Sequence, residues 1–226
     1  MSRNAGAMSG LAGAGKFTEL RSRLLFVLGA LIVYRIGCFI PVPGVNPEAM
    51  LQLMQSQQGT IVDMFNMFSG GALSRFSLFA LNVIPYISAS IVMQLMVQIL
   101  PSLKAMQKEG ESGRRKITQY SRYGAVGLAI FQAAGIAVAL QGQGASGGIP
   151  VVYNPGPGFV MTAVISLTAG TMLLMWLGEQ VTERGIGNGI SLIIFAGIVA
   201  GLPGAVLNTL QQASSGDMQW ITVFFI

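Results

Sequence analysis

Histidine is absent from this chain, cysteine occurs once, at Cys38, and charged residues make up only 9% of the 226 positions. The missing histidine and the single thiol exclude an internal disulfide and leave no His/Cys set able to hold a metal, so no cofactor is expected. The low charge excludes an ordinary soluble domain, where about 25% of residues are charged. A mean hydropathy of +0.63 points to lipid as the solvent. Acidic residues are scarcer than basic ones, 8 against 13, giving a net charge of +5. A nucleic-acid partner would want that charge on one folded face. Here it is dispersed along the chain in a different pattern.

Eleven of the 13 lysines and arginines fall between Arg3 and Arg23, between Lys104 and Arg122, or at Arg184, while 41–60, 141–155 and 208–219 contain none. Basic loops stay on the cytoplasmic side, so the amino terminus is expected there. Between these loops lie five candidate spans, Leu24–Ile40, Phe76–Leu100, Tyr120–Leu140, Phe159–Gly178 and Ile186–Leu207. Trp220–Ile226 begins another apolar run far short of the ~20 residues a span needs, so the chain is expected to be a fragment that includes the start of a sixth helix. The pattern predicts an all-α polytopic membrane protein with a cytoplasmic tail over 1–23 and a membrane body over 24–226. A removable signal peptide does not fit residues 1–40, which run into Pro41-Val42-Pro43-Gly44 without small-residue cleavage chemistry and hold Arg35 in the apolar core. Arg35 is expected to snorkel to the interface as an anchor.

One segment does not fit the spanning pattern. Thr60 and Asp63 suggest a helix-start box, Ile61, Met64, Phe65 and Phe68 share one helical face, and Ser69-Gly70-Gly71 would stop the helix after about two turns. Such a helix either lies flat in the interface or folds back between the spans, and the second arrangement implies a cavity around its Gly-Gly break.

In the second span Val83, Ile87, Ser90, Gln94 and Gln98 lie within about 80° of arc, an apolar pair followed by a polar run, with Pro85 as an expected kink. That order suits a water-filled inner funnel narrowing to an apolar collar, and equally suits hydrogen bonding between helices. The fifth span offers a matching face, Gly187, Ile190, Ile194, Gly197 and Gly201, whose glycines are explained by close helix packing. Phe79 is expected to face lipid.

Two nucleotide-like motifs are decoys. Gly10–Phe17 approaches a P-loop but has Phe17 where a Mg²⁺-binding hydroxyl is required, and Gly142-Gln-Gly-Ala-Ser-Gly147 lies in a short loop with no room for a βαβ unit. No nucleotide binding and no enzymatic chemistry are expected.

Asn82–Met96, Asn-Val-Ile-Pro-Tyr-Ile-Ser-Ala-Ser-Ile-Val-Met-Gln-Leu-Met, resembles the second-helix signature of the SecY family of bacterial translocon channels. Lys108–Tyr123, Glu179–Ile194 and the Pro41-Val42-Pro43-Gly44 turn are similar to SecY segments in order and spacing. The resemblance implies an hourglass channel of ten helices in two inverted halves, in the bacterial cytoplasmic (inner) membrane, with this chain as the amino-terminal half. It makes residues 61–74, with Ile61, Met64, Phe65 and Phe68, the plug, and Val83, Ile87, Ile190 and Ile194 the pore ring. Val83 stands where many relatives carry isoleucine, which implies a slightly wider collar. Ser88 and Ile91 match the lateral-gate face where signal sequences dock. Implied partners are the companion subunits SecE and SecG, the SecA motor or the ribosome, signal sequences and nascent polypeptides, and membrane lipid. A secondary transporter with broken helices and inverted repeats gives similar hydropathy, but would want a coordinating charge near the midplane that the spans lack. A membrane scaffold without a pore would instead seal the polar stripe with neighbouring helices.

Overall fold

A computed structural model describes residues 5–57, 60–143 and 149–214, and among them every regular element is an α-helix. The order is α1 (Ala5–Gly37), α2 (Pro47–Ser56), α3 (Ile61–Phe68), α4 (Ile84–Ile99), α5 (Pro101–Lys108), α6 (Glu111–Gln141), α7 (Pro157–Arg184) and α8 (Gly189–Ser214). Helices α6 and α7 are long and apolar enough to cross a membrane, and α4 with α5 makes a third candidate if the pair, bent by 98°, is one broken span. Helix α1 includes Arg21, Arg23 and Arg35, and the apolar part of α8 is confined to Gly189–Pro203. The Gly10–Phe17 decoy lies inside α1, with helical backbone where a phosphate loop would be needed. Trp220–Ile226 lies outside the described residues.

Helix α6 is the spine. Ser121, Ala125, Ala129, Ala133 and Ala137 recur every fourth residue and are all buried, a small-residue stripe against which α4 and α7 approach closely. Arg122 Nε donates to Glu179 Oε1 at 2.7 Å, joining α6 to α7 at the end where the basic residues collect. The pair is partly exposed, so it aligns the helices more than it stabilises them.

At the opposite end the connections zip together. Val42 N donates to Phe76 O at 2.9 Å and Leu78 N to Ile40 O at 2.9 Å, while on the other side Asn46 N donates to Val151 O at 2.8 Å and Tyr153 N to Gly44 O at 3.0 Å. The 41–46 turn is thus held on both flanks, over a core that includes Val42, Val45, Met50, Phe76 and Val151. Helix α2, absent from the sequence reading, starts where Asn46 Oδ1 accepts from the amides of Glu48 and Ala49 and Pro47 occupies the first turn.

The second span differs from expectation over its first eight residues. Residues 70–83 run as consecutive turns, with Phe76 and Asn82 at φ 45° and 50°, and the helix begins only at Ile84. Non-helical backbone survives here because protein surrounds it: Phe76, Phe79, Ala80 and Leu81 are buried, and amides such as those of Ser77, Leu78 and Ala80 are hydrogen-bonded. Pro85 is therefore no kink. It occupies the first helical turn, where a missing N–H costs nothing. At 16 residues, α4 is about 24 Å long, too short to span alone. Phe79 is 2% exposed and stacks on Tyr34, ring centroids 6.1 Å apart, so the expectation that it faces lipid is wrong.

Candidate functional site

The short apolar segment forms a helix with the expected bounds, Ile61–Phe68, and ends in left-handed glycines, Gly70 at φ 65° and Gly71 at φ 82°. Its start differs from the expected box. The Thr60 hydroxyl donates to Gln57 O at 2.6 Å and does not cap the helix. The turn beyond the helix is densely bonded: Gly71 N reaches Asn66 O, Ser74 N reaches Asn66 Oδ1, and Leu73 N reaches Ser69 Oγ.

This turn is pressed against α8. A methyl group added to Gly197 would lie 2.7 Å from Phe68 O and 3.0 Å from Tyr34 Oη, closer than packed atoms approach. The glycine of the fifth span therefore serves the contact with α3, a role that helix-to-helix packing did not anticipate. Gly201 has nothing within 4 Å. Gly197→Ala is expected to destabilise by about 1–3 kcal/mol through overpacking, seen as a lowered Tm, whereas Gly201→Ala leaves Tm unchanged. Equal effects at the two sites would remove the close approach as the cause.

Beside α3 lies a cavity of about 290 Å³ whose walls include Phe65, Phe68, Val83, Ile87, Ser88 and Ile194. Three elements that are distant in sequence thus converge on one apolar space. Val83 ends the turn segment and its carbonyl accepts the Ile87 amide at 3.0 Å, so the two side chains sit one turn apart. Ile190 does not line this cavity; its Cγ1 rests against Gly178 of α7. Ile61 and Met64 are 71% and 60% exposed and also stand outside it. Ile91 is 53% exposed on the outer flank of α4. The polar part of the stripe is open, with Ser90 half-buried and Gln94 and Gln98 exposed, so within these residues no neighbouring helix seals it.

On its other side α3 borders a larger cavity of about 500 Å³, lined by Met50, Met54, Val62, Phe65, Leu73 and Phe131 among others. Sequence reasoning assigned no role of their own to Tyr34 and Asn82 and treated Arg35 as an anchor. Tyr34 and Arg35 reach the turn that follows α3, and Asn82 reaches the carbonyl of its last residue, Phe68. A charged residue in an apolar span was the available signal for Arg35.

A family model described as SecY matches residues 77–226. A curated relative from Escherichia coli (strain K12), named "Protein translocase subunit SecY", is 59% identical over 212 residues, covering 94% of this chain and 47% of its own length. A relative of the same name from Haemophilus influenzae is 55% identical over 226 residues, covering 100% of this chain and 50% of its own. The chain spans about half the length of these relatives. Two solved structures, "The structure of a protein conducting channel" and "Sec61 in the Canine ribosome-channel complex from the endoplasmic reticulum", match with a TM-score of 0.57 at 20% identity, covering 86% of this chain and 38% of theirs. At that identity they show a shared fold.

Proposed function

The chain belongs to the SecY family, and from that premise we propose that residues 1–226 are the amino-terminal half of a protein-conducting channel. It passes unfolded polypeptides across the bacterial cytoplasmic (inner) membrane and releases hydrophobic segments sideways into lipid. The observation that carries this reading is the convergence of Phe65 and Phe68 with Val83, Ile87 and Ile194 around one apolar cavity. An apolar ring closed by an apolar stopper excludes water and ions, and opens when the stopper moves.

On this reading Val83, Ile87 and Ile194 form this half's share of the pore ring at the cavity, Ile190 backs the ring against Gly178, 61–74 is the plug, and Ser88 and Ile91 line the lateral gate. Residues 1–23 are a cytoplasmic tail, and the membrane body over 24–226 crosses the bilayer five times within its described residues. The chain performs no chemistry. Energy comes from SecA or a ribosome, with SecE and SecG as companion subunits. The secondary-transporter reading is not favoured, since the relatives are named translocase subunits.

In a Cys38→Ser background, cysteines at Gln55 and Gln143 are expected to react with impermeant reagents from outside, and cysteines at Gln107 and Gln180 to stay unlabelled. Reversed labelling at any one of the four overturns the topology. A photocrosslinker at Ile91 is expected to capture signal sequences during translocation, while one at Ile165, 64% exposed on α7, captures lipid. Equal capture of signal sequence at both positions would remove the gate assignment.

A further inference from the structure

Helix α3 is held loosely along its length. Ile61, Met64, Phe65 and Phe68 all stay at least 42% exposed, and cavities of about 290 Å³ and 500 Å³ flank it. Dispersion contacts and burial therefore do little to fix it within this half. Its carboxy-terminal end is held differently. Asn82 Nδ2 donates to Phe68 O at 2.9 Å, Tyr34 Oη to Ser69 O at 3.2 Å, and an Arg35 guanidinium nitrogen to Gly70 O at 2.8 Å. Three consecutive carbonyls, that of the last helical residue and the two beyond it, each receive a side-chain donor from outside the plug segment, and Ser69 O also accepts from Ala72 N at 3.3 Å and from Cys38 Sγ at 4.0 Å.

We infer that Tyr34, Arg35 and Asn82 form a clasp on the carbonyls of residues 68–70, and that this clasp sets how readily the plug leaves its seat. Every donor is itself prepositioned. Tyr34 is 1% exposed and stacked on Phe79. The Arg35 guanidinium carbon lies 5.1 Å from the Phe39 ring centroid, and its charge strengthens the bond it donates. Asn82 is 1% exposed and takes a left-handed backbone, φ 50°, that few residues other than glycine and asparagine adopt. Its Oδ1 is buried without a hydrogen-bond partner among the described residues, so the amide is oriented by the single bond to Phe68 O. The Tyr34 bond is buried and the Arg35 and Asn82 bonds are part-buried, so exchanging them for water requires the turn to move, which concentrates the resistance to opening at the hinge. These are positioning residues for the seal. The inference rests on the plug reading proposed above.

The test uses the complete channel with its companion subunits in lipid nanodiscs and bilayers. Tyr34→Phe removes one hydroxyl without changing the ring, and Asn82→Gly removes the amide while keeping the left-handed backbone available. Each is expected to accelerate hydrogen exchange at the amides of residues 69–74 by about two- to tenfold, the range for one net hydrogen bond, with effects multiplying in the double variant. Amides of α6 and α7 stay unchanged, and resting ion leak rises in parallel. Unchanged exchange at 69–74 in both single variants overturns the clasp. Acceleration spread evenly over α6 and α7 overturns it too, as general destabilisation. Faster exchange at 69–74 with no change in leak also overturns the inference, and places the failure in the plug reading rather than in the three bonds.

Discussion

Glycine in place of both Ile87 and Ile194, in a complete channel, is expected to raise resting ion conductance by about tenfold or more, the change that follows from lowering a barrier by about 1.4 kcal/mol. Both residues line the cavity beside α3, and a collar that blocks by excluding water fails when its width or its polarity grows. Serine at the same positions should leak as well. Ile190 serves as an internal contrast. Because it rests against Gly178, Ile190→Gly should cost stability, by about 2–5 kcal/mol in line with other large-to-small changes, with a smaller leak than Ile87→Gly. The measurement is single-channel recording without substrate, at matched protein levels. Background conductance in the double glycine and double serine variants would reduce these isoleucines to packing residues and end the collar assignment.

The sequence marked features whose cause is local. Ser69-Gly70-Gly71 ends α3 because left-handed backbone strongly favours glycine, and the long apolar runs of α6 and α7 read directly as helices. The family signature in Asn82–Met96 identified the kinship that the comparisons show. Features set by tertiary contact were missed. Phe76–Val83 is as apolar as the helix after it, and only partners at Ile40 and in the surrounding core allow it to run as turns. Pro85 is compatible with a kink or a first turn, and the backbone before it decided which. Phe79 looks lipid-facing until Tyr34 stacks on it. Asn46-Pro47-Glu48 does spell a helix start, but the ten residues from Pro47 carry no span-length apolar run to mark a helix. Val83, Ile87 and Ile194 could be nominated from helical spacing. That they share a cavity with Phe65 depends on a seat built around Gly197 and Gly70, which no periodicity encodes.

Residues 1–226 alone are expected to support no polypeptide translocation above background when purified and reconstituted into vesicles. The chain spans about half the length of its relatives, and α4 leaves Ile91, Leu95 and Ile99 exposed beside the open amides of Gln94 and Gln98. In a bilayer the apolar groups lose little by meeting lipid, because lipid tails drive no hydrophobic association. The amides are different, since each polar group left unpaired in hydrocarbon costs on the order of 1 kcal/mol or more. Those side chains must meet water in a pore or a partner across it, and one half of a ring encloses no pore. Cavities beside Ile87 and Phe65 that stay open within this half call for the same facing surface. Co-expression of the second half as a separate chain, with the companion subunits, is therefore expected to restore translocation and to protect the first half from degradation. Vesicle uptake of a protease-protected substrate measures the first effect, and pulse-chase lifetime the second. Robust uptake by residues 1–226 alone would mean that the apolar space around Val83, Ile87 and Ile194 is a pore in itself, and the half-channel reading would fall.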